Sequence, residues 1–166
     1  MGADATMPSP RRAPGVERLP PSLDEPALFA RFMREFGNAG RAEIADVLGN
    51  ILVIDQSLFR NLKGEWKIMK GERAQWLLYT AVNIRQPDEI WLEPGRRGGP
   101  DKLYYLSRFE VGRRGLLACV AVFEREQGGL GAWTGRTNYA TTDEKYIYRK
   151  RNKEILNGKI RYRRWE

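Results

Sequence analysis

Hydrophobic residues recur at helical spacing in the first half of the chain. A first helix is predicted after the capping sequence Asp24-Glu25-Pro26, and its apolar residues lie three or four positions apart at Leu28, Phe29, Phe32, Met33 and Phe36. A further helical turn is predicted over 43–48, and a short strand over 51–54. The clearest helix covers 71–84, before the turn at Pro87-Asp88.

From residue 89 onward the apolar residues alternate instead, which predicts strands at 89–93, 102–109, 116–123 and 132–142. The third of these is apolar on both faces, as expected for a central strand. Thr141-Thr142-Asp143-Glu144 has the form of a capping box and predicts a helix over about 143–156. The predicted fold class is α+β, with N-terminal helices packed on a four-stranded antiparallel sheet and a C-terminal basic helix.

The first 26 residues differ in composition from the rest. They hold six of the nine prolines, mixed with Gly, Ser and both signs of charge. Such a composition buries too little apolar surface to offset chain entropy, so we predict a disordered tail or linker over 1–26. It could equally be a flexible arm or the cut end of a longer modular protein. Residues 27–166 are predicted to form a single domain.

The charge balance indicates a polyanionic partner. The 166 residues include 29 Lys and Arg against 21 Asp and Glu, for a net charge of +8 and a pI of about 9.8. Nucleic acid and an anionic membrane surface both fit this balance. Residues 143–166 alone hold nine Lys and Arg against four acids, interleaved with aromatic residues at Tyr146, Tyr148, Tyr162 and Trp165. This mixture suits single-stranded RNA, and a solvated helix face is an equally weighted alternative. The second basic stretch, 60–73, we interpret as solvated surface.

Several classes of protein are excluded. The chain has no histidine, which removes imidazole acid–base catalysis and His-ligated metals. Its one cysteine, Cys119, lies in an apolar strand and is predicted to be an inert core thiol. The longest apolar run, 116–123, is too short to cross a bilayer, and no signal-like stretch occurs near the N-terminus. We expect a cytoplasmic protein with no cofactor and no membrane partner, and rank a metal site low because the carboxylates are scattered.

Polar side chains of the predicted sheet supply the candidate chemistry. Strict alternation puts Arg136 and Asn138 on one face of the fourth strand and Thr137, Tyr139 and Thr141 on the other. The face with Arg136, together with Lys102 and Arg108 of the second strand and Glu93 of the first, is the candidate exposed surface. An ordinary half-solvated sheet with cross-strand ion pairs is the alternative.

Four sequence features in a fixed order resemble a known family. They are Trp76-Leu77-Leu78 through Asn83 followed by Pro87-Asp88-Glu89-Ile90-Trp91, the pair Tyr104-Tyr105, the apolar strand 116–123, and Gly135-Arg136-Thr137-Asn138-Tyr139-Ala140-Thr141-Thr142 running into Tyr146 and Arg149-Lys150-Arg151. This set resembles the phage-associated branch of the barnase–EndoU–colicin–RelE-like nuclease superfamily over about two thirds of the chain. The resemblance implies helices on an antiparallel sheet and metal-independent RNA cleavage, often in toxins or phage-encoded proteins.

Cleavage of this kind has the ribose 2′-hydroxyl attack the adjacent phosphorus, which requires a proton acceptor, cations for the phosphorane and a proton donor. Arg108 and Arg136 are assigned to the developing charge, because arginine stays protonated. Glu93 or a desolvated Lys102 is the candidate base. Tyr139 is the donor or a stacking residue, and Thr137 binds phosphate. The predicted RNA-binding residues are Lys102, Tyr104, Arg149, Lys150 and Arg151.

The predicted function is therefore a metal-independent endoribonuclease, as a toxin, an effector or a phage-encoded enzyme. Its predicted partners are RNA, with tRNA and ribosome-bound mRNA as candidate substrates, and an acidic immunity or antitoxin protein. A non-catalytic RNA-binding or phage structural module on the same fold is the first alternative. An ADP-ribosyltransferase-like toxin is the second, and a membrane-surface protein ranks lowest because the helix over 143–156 is too polar to insert.

Overall fold

The computed structural model describes residues 7–37, 39–70, 72–155 and 158–164. In chain order these residues form α1 (Glu25–Met33), β1 (Ala42–Ala45), β2 (Ile51–Ile54), α2 (Leu77–Arg85), β3 (Glu89–Glu93), β4 (Asp101–Val111), β5 (Gly115–Arg125), β6 (Trp133–Thr141), α3 (Glu144–Lys150) and β7 (Lys159–Arg163). Short 3-10 turns cover Arg34–Phe36, Gln56–Phe59 and Arg73–Trp76, and a π-helical turn covers Arg151–Ile155.

The strands form one mixed sheet in the order β1-β2-β6-β5-β4-β3-β7. Neighbouring strands are antiparallel except β2 and β6, which run parallel over Leu52–Trp133 and Val53–Thr134. The α+β class is confirmed, and the four predicted strands are the contiguous strands β3 to β6. The prediction of a four-stranded, wholly antiparallel sheet is wrong, because β1, β2 and β7 extend it on both sides. β1 lies where a helical turn was predicted, since a four-residue strand is fixed by its partner more than by its own pattern.

The C-terminal helix also differs from the prediction. In place of one α-helix over 143–156, α3 ends at Lys150 and a π-helical turn follows from Arg151. Arg151 is only 3% exposed and forms a bidentate ion pair with the fully buried Glu89 of β3, at 2.9 and 3.0 Å. The helix therefore changes its winding at the residue whose side chain is held by the sheet. Residue 156, the last of the predicted helix, lies outside the described residues.

Residues 7–24 lie against the domain along an extended path, where a tail without fixed structure was predicted. Met7 and Leu19 are buried, and the Leu19 N–H donates to the Gln75 carbonyl at 2.9 Å. Arg11 forms a β-bridge with Phe109 beside the end of β4 and an ion pair with buried Asp88 at 3.2 Å. These apolar and ionic contacts offset the conformational entropy that the segment loses when it is held in place. The proline-rich composition alone does not indicate them. Residues 1–6 of the predicted tail lie outside the described residues.

Helices cover the sheet unequally on its two faces. α1 and α2 pack on one face, over a core that includes Leu103, Tyr105 and Phe123. Buried hydrogen bonds fix α2 to β4, because Asn83 Nδ2 donates to the Tyr105 carbonyl and Ser107 Oγ donates to Asn83 Oδ1. Cys119 belongs to a smaller cluster beside this core, and burial raises the pKa of its thiol, so the prediction of an inert core cysteine is confirmed.

The other face, which we call the open face, is covered only in part. Its apolar centre is formed by Trp91, Tyr104, Val120 and Val122, on which Met7 packs. α3 lies beside this centre and above β6, where Lys150 sits over the ring of Tyr139. Polar side chains border the rest of the open face. None of the helices in the described part of the chain has the length and apolar composition needed to cross a membrane.

Candidate active site

β2 leaves most of the edge of β6 without a paired strand, and a loop lies along that edge instead. β2 pairs with only the first two residues of β6, and the 3-10 turn Gln56–Phe59 packs behind the next ones. A Cβ atom on Gly135 would lie 2.5 Å from Leu58 Cγ, so only glycine allows this approach. Asn138 Nδ2 donates to the Leu58 carbonyl at 2.6 Å. These two contacts hold the turn Gln56–Phe59 against β6, and the loop over residues 60–76 follows this turn.

A β-bulge in β6 changes the predicted distribution of side chains. Val122 pairs with Thr137 and Phe123 with Gly135, so Arg136 is the extra residue. Arg136 Nε lies 3.6 Å from Glu124 Oε1. Because the bulge interrupts the alternation, Asn138 is fully buried on the helix-covered face, and the prediction that it shares an exposed face with Arg136 is wrong.

Lys67 reaches the open face from the loop. Its ammonium group donates to Thr137 Oγ1 at 2.9 Å, and the residue is half-buried. Desolvation by burial lowers the pKa of Lys67 to about 8, and the positive charges of Arg73, Arg136 and Lys70 add to the shift. A lysine with this pKa is neutral for part of the time near neutral pH, so it is able to accept a proton.

Arg73 lies next to this lysine with unused hydrogen-bonding capacity. Its Nε and Nη1 atoms are buried and have no hydrogen-bond partner among the described residues, and burial lowers its pKa. Tyr139 and Tyr146 lie close enough to oppose that shift. The preceding Glu72 accepts hydrogen bonds from the Thr142 N–H at 3.2 Å and hydroxyl at 3.1 Å, which ties the loop to the end of β6. A buried guanidinium with unpaired N–H groups is suited to bind an anion.

α3 closes the other side of the site. Lys150 Nζ lies 4.6 Å from the ring centroid of Tyr139 and 5.8 Å from that of Tyr146, and the two rings meet edge to face at 6.0 Å. A cavity of about 440 Å³ adjoins them, lined by Tyr146, Arg149, Lys150 and Lys153. We call Lys67, Arg73, Arg136 and Lys150 the β6 cation cluster. It surrounds Thr137 and Tyr139 with four positive side chains contributed by a loop, a bulged strand and a helix.

The structure brings together part of the predicted site. Arg136, Thr137 and Tyr139 adjoin one another on β6, and Lys150 and the exposed Arg149 approach them from α3. Thr137 and Tyr139 lie on the open face, because they pair with Val122 and Val120. The alternation had placed them on the face opposite the candidate exposed surface. These residues are the part of the prediction that the geometry gathers at one place.

Glu93, Lys102 and Tyr104 form a separate polar group on the open face. β3 and β6 are three strand spacings apart, or about 14 Å at the backbone. Tyr104 Oη donates to Glu93 Oε2 at 2.9 Å, and Lys102 is the register partner of both Glu93 and Glu124. Lys102 on β4 is nearer, at two strand spacings or about 10 Å from β6 at the backbone. Neither of the two candidate bases, Glu93 and Lys102, therefore lies on a strand next to β6.

The side chains of Arg108 and Arg151 are held by other parts of the protein. Arg108 lies on β4, two strand spacings or about 10 Å from β6 at the backbone, and its Nη2 donates to the Pro8 carbonyl at 2.8 Å. The N-terminal segment therefore contacts the side chain that was assigned to the developing charge. Arg151 is buried against Glu89, with its guanidinium carbon 5.5 Å from the Trp91 ring. The predicted RNA-binding residue Arg151 is thus only 3% exposed, and its charge is paired inside the protein.

Sequence reasoning missed Lys67 and Arg73. Both lie in the basic stretch 60–73, which we interpreted as solvated surface, and that interpretation is wrong for these two residues. The loop has no periodicity, so no sequence signal indicated which of its cations turn inward. The features that bring it to β6, Gly135 and the bulge at Arg136, lie about 70 residues further on.

A comparison with known families identifies the class of protein. Residues 31–163 match the model of the family described as phage-Barnase-EndoU-ColicinE5/D-RelE like nuclease2. The match covers most of the chain, so the chain belongs to this family of phage-associated nucleases, and the resemblance seen in the sequence is confirmed. The comparisons with curated proteins and with solved structures gave no match.

Proposed function

We propose that this nuclease is an endoribonuclease that cleaves RNA by attack of a ribose 2′-hydroxyl on the adjacent phosphate, without a metal ion. The observation that carries the proposal is the contact between Lys67 and Thr137, with Arg73 and Arg136 beside it. It combines a lysine of lowered pKa with two guanidinium groups at one point on the open face. These are the parts that the reaction needs in the absence of histidine.

The proposed roles follow from the contacts. Neutral Lys67 accepts the proton of the 2′-hydroxyl, whose oxygen then forms a bond to phosphorus. Arg73 has unpartnered N–H groups that donate to the non-bridging oxygens of the phosphorane, and Arg136 adds a second positive charge. Thr137 accepts a hydrogen bond from Lys67 and has its own hydroxyl proton to donate to the phosphate.

The leaving group needs a proton when the bond from phosphorus to the 5′-oxygen breaks. Tyr139 lies two residues from Thr137 on the same face of β6, and its phenol has a proton to donate. The ammonium of Lys150 lies over its ring. Tyr139 is therefore the proposed donor. The products are a 2′,3′-cyclic phosphate and a free 5′-hydroxyl. The protonated Lys67 then releases its proton to solvent and the Tyr139 phenolate takes one up, which restores both groups.

The test uses a fluorescent RNA oligonucleotide in the presence of EDTA. We expect fragments that end in a cyclic phosphate, and no cleavage at a position where a single 2′-deoxynucleotide removes the attacking hydroxyl. Cleavage that requires added Mg²⁺, or that continues at the deoxy position, would contradict the mechanism. Tight binding of the oligonucleotide without any cleavage would instead support the non-catalytic RNA-binding alternative, which the basic and aromatic lining of the α3 cavity favours.

A toxin or effector role with an acidic inhibitor remains part of this proposal. It is supported by the net charge of +8 and by exposed cations beside the site, including Arg149 and Lys153. An acidic protein that covers these residues would block access to the β6 cation cluster. Expression of the wild-type chain in bacteria should arrest growth, and expression of a Lys67→Met variant should not. Equal growth of the two cultures would argue against the toxin role.

A further inference from the structure

A second cavity lies beside the site, along the edge of β6. Its volume is about 630 Å³, which is within the usual range of small-ligand pockets. The turn and loop over 55–64 form one wall, Gly135 and Arg136 form another, and Arg41 lies at its rim. Arg136 therefore belongs both to this cavity and to the β6 cation cluster. None of the roles proposed above uses the rest of its lining.

Arg60 provides a flat, fixed surface in this cavity. Its guanidinium carbon lies over the ring of Trp66, 4.0 Å from the ring centroid, which is a cation–π contact. Two hydrogen bonds hold it there, from Nε to Gln56 Oε1 at 3.0 Å and from Nη1 to the Gly64 carbonyl at 2.6 Å. Trp66 occupies one side of the guanidinium, and Arg60 itself lines the cavity. Guanidinium planes of this kind stack on unpaired nucleobases.

The other groups of the cavity suit the rest of a nucleotide. Arg41 is exposed and forms only a surface ion pair with Glu43, at 2.9 Å, so its charge is available to a phosphate. Ser57 also lines the cavity, and its Oγ has no hydrogen-bond partner among the described residues. A stacking plane between two cations, Arg41 and Arg136, is the chemistry that recognises a base with a phosphate on either side.

We propose that this cavity is a second nucleotide subsite, in which an unpaired base stacks on Arg60 while its phosphates contact Arg41 and Arg136. The inference rests on the proposed function and deepens it, because it makes the substrate a single-stranded RNA that crosses the edge of β6 at Arg136. Double-stranded RNA does not fit, since its bases are not free to stack on a protein side chain.

The experiment measures binding, so that it does not depend on catalysis. The probe is a fluorescent ten-nucleotide single-stranded DNA, which lacks the attacking hydroxyl, titrated at several salt concentrations. Arg60→Lys keeps the charge and removes the stacking plane, and it should weaken binding about tenfold with an unchanged salt dependence. Arg41→Ala should weaken binding and lower the slope of log affinity against log salt by about one. Arg113→Ala, at the exposed β4–β5 turn, is the matched control and should do neither.

Several outcomes would overturn the subsite. Wild-type affinity in both Arg60→Lys and Arg41→Ala is one, and an equal loss in Arg113→Ala is another. A duplex of the same length that loses as much affinity on the Arg60→Lys change would also refute it, because stacking would then not be the cause. If RNA cleavage fails in the separate test but these affinities follow the expected order, the proposed function is wrong and the subsite stands as a binding site.

Discussion

Lys67 should set the pH dependence of RNA cleavage. Its ordinary pKa of 10.5 is lowered to about 8, because burial disfavours the charged form and the neighbouring cations repel it. If the neutral amine is the base, kcat/KM must follow the fraction of Lys67 that has lost its proton. The same shift affects stability. Between about pH 8 and pH 10.5 the unfolded chain holds a proton that the folded protein has lost, so stability should increase with pH across that window.

The size of the effect can be worked out from the pKa. With a pKa of about 8, about 9% of Lys67 is neutral at pH 7, against about 0.03% for an unperturbed lysine, a gain of about 300-fold. The neutral fraction increases about tenfold from pH 6 to pH 7, reaches half at pH 8 and changes less than twofold beyond it. A bound phosphate favours the ammonium form, so the corresponding limb of kcat should lie at a higher pH than that of kcat/KM.

The assay is initial-rate cleavage of a fluorescent RNA oligonucleotide from pH 5.5 to 9.5 in EDTA. The wild type should show a rising limb in kcat/KM centred near pH 8. Lys67→Met should lose on the order of 10²–10⁴-fold in rate and lose the limb. Lys63→Met, which removes the same charge from an exposed position in the same loop, should keep both. A limb that persists in Lys67→Met, or a flat profile in the wild type, would refute the assignment of Lys67 as the base.

Three further predictions concern the strand and the helix that hold the site. Arg136→Ala and Tyr139→Phe should each lower kcat for oligonucleotide cleavage by about 10²-fold or more. Their melting temperatures in thermal unfolding should stay unchanged. Cleavage rates near that of the wild type would exclude the roles proposed for these two residues. Glu89→Ala leaves Arg151 buried without its partner and should destabilise the fold by about 3–5 kcal/mol in urea titration, and a loss below 1 kcal/mol would contradict this. Gly135→Ala should cost about 1–3 kcal/mol by overpacking and also lower activity, whereas full activity would show that the loop tolerates displacement.

The sequence was informative about the fold wherever periodicity was strong. α1, α2 and the strands β4 to β6 follow from apolar spacing, because these elements are long enough for one buried face to repeat several times. β3 is shorter, with five residues, and was predicted from the alternation that follows the Pro87-Asp88 turn. β1 and β7 have four and five residues and exist because a neighbouring strand pairs with them. The bulge at Arg136 is likewise invisible in the sequence, since alternation alone does not identify the extra residue.

The site was predictable only on the strand that carries the family resemblance. Arg136, Thr137 and Tyr139 were predicted because their motif carries the family resemblance and its residue types match the required chemistry. Lys67 and Arg73 were missed because a charged loop residue is solvated by default. Only the fold shows which cations are buried next to a hydroxyl or left without a partner.

The number of basic residues in a segment is a poor guide to where its partner binds. The C-terminal segment has the highest density of positive charge, yet two of its arginines, Arg151 and Arg163, are both paired with the buried Glu89. Their effect on the site is indirect, because this pairing anchors the end of α3 to the sheet and so holds Lys150 over Tyr139. A basic side chain is able to bind a substrate phosphate where it is not already paired with a buried carboxylate of the protein. By that criterion we expect the loop beside β6, together with Lys150 of α3, to contribute more to substrate binding than Arg151 and Arg163 do.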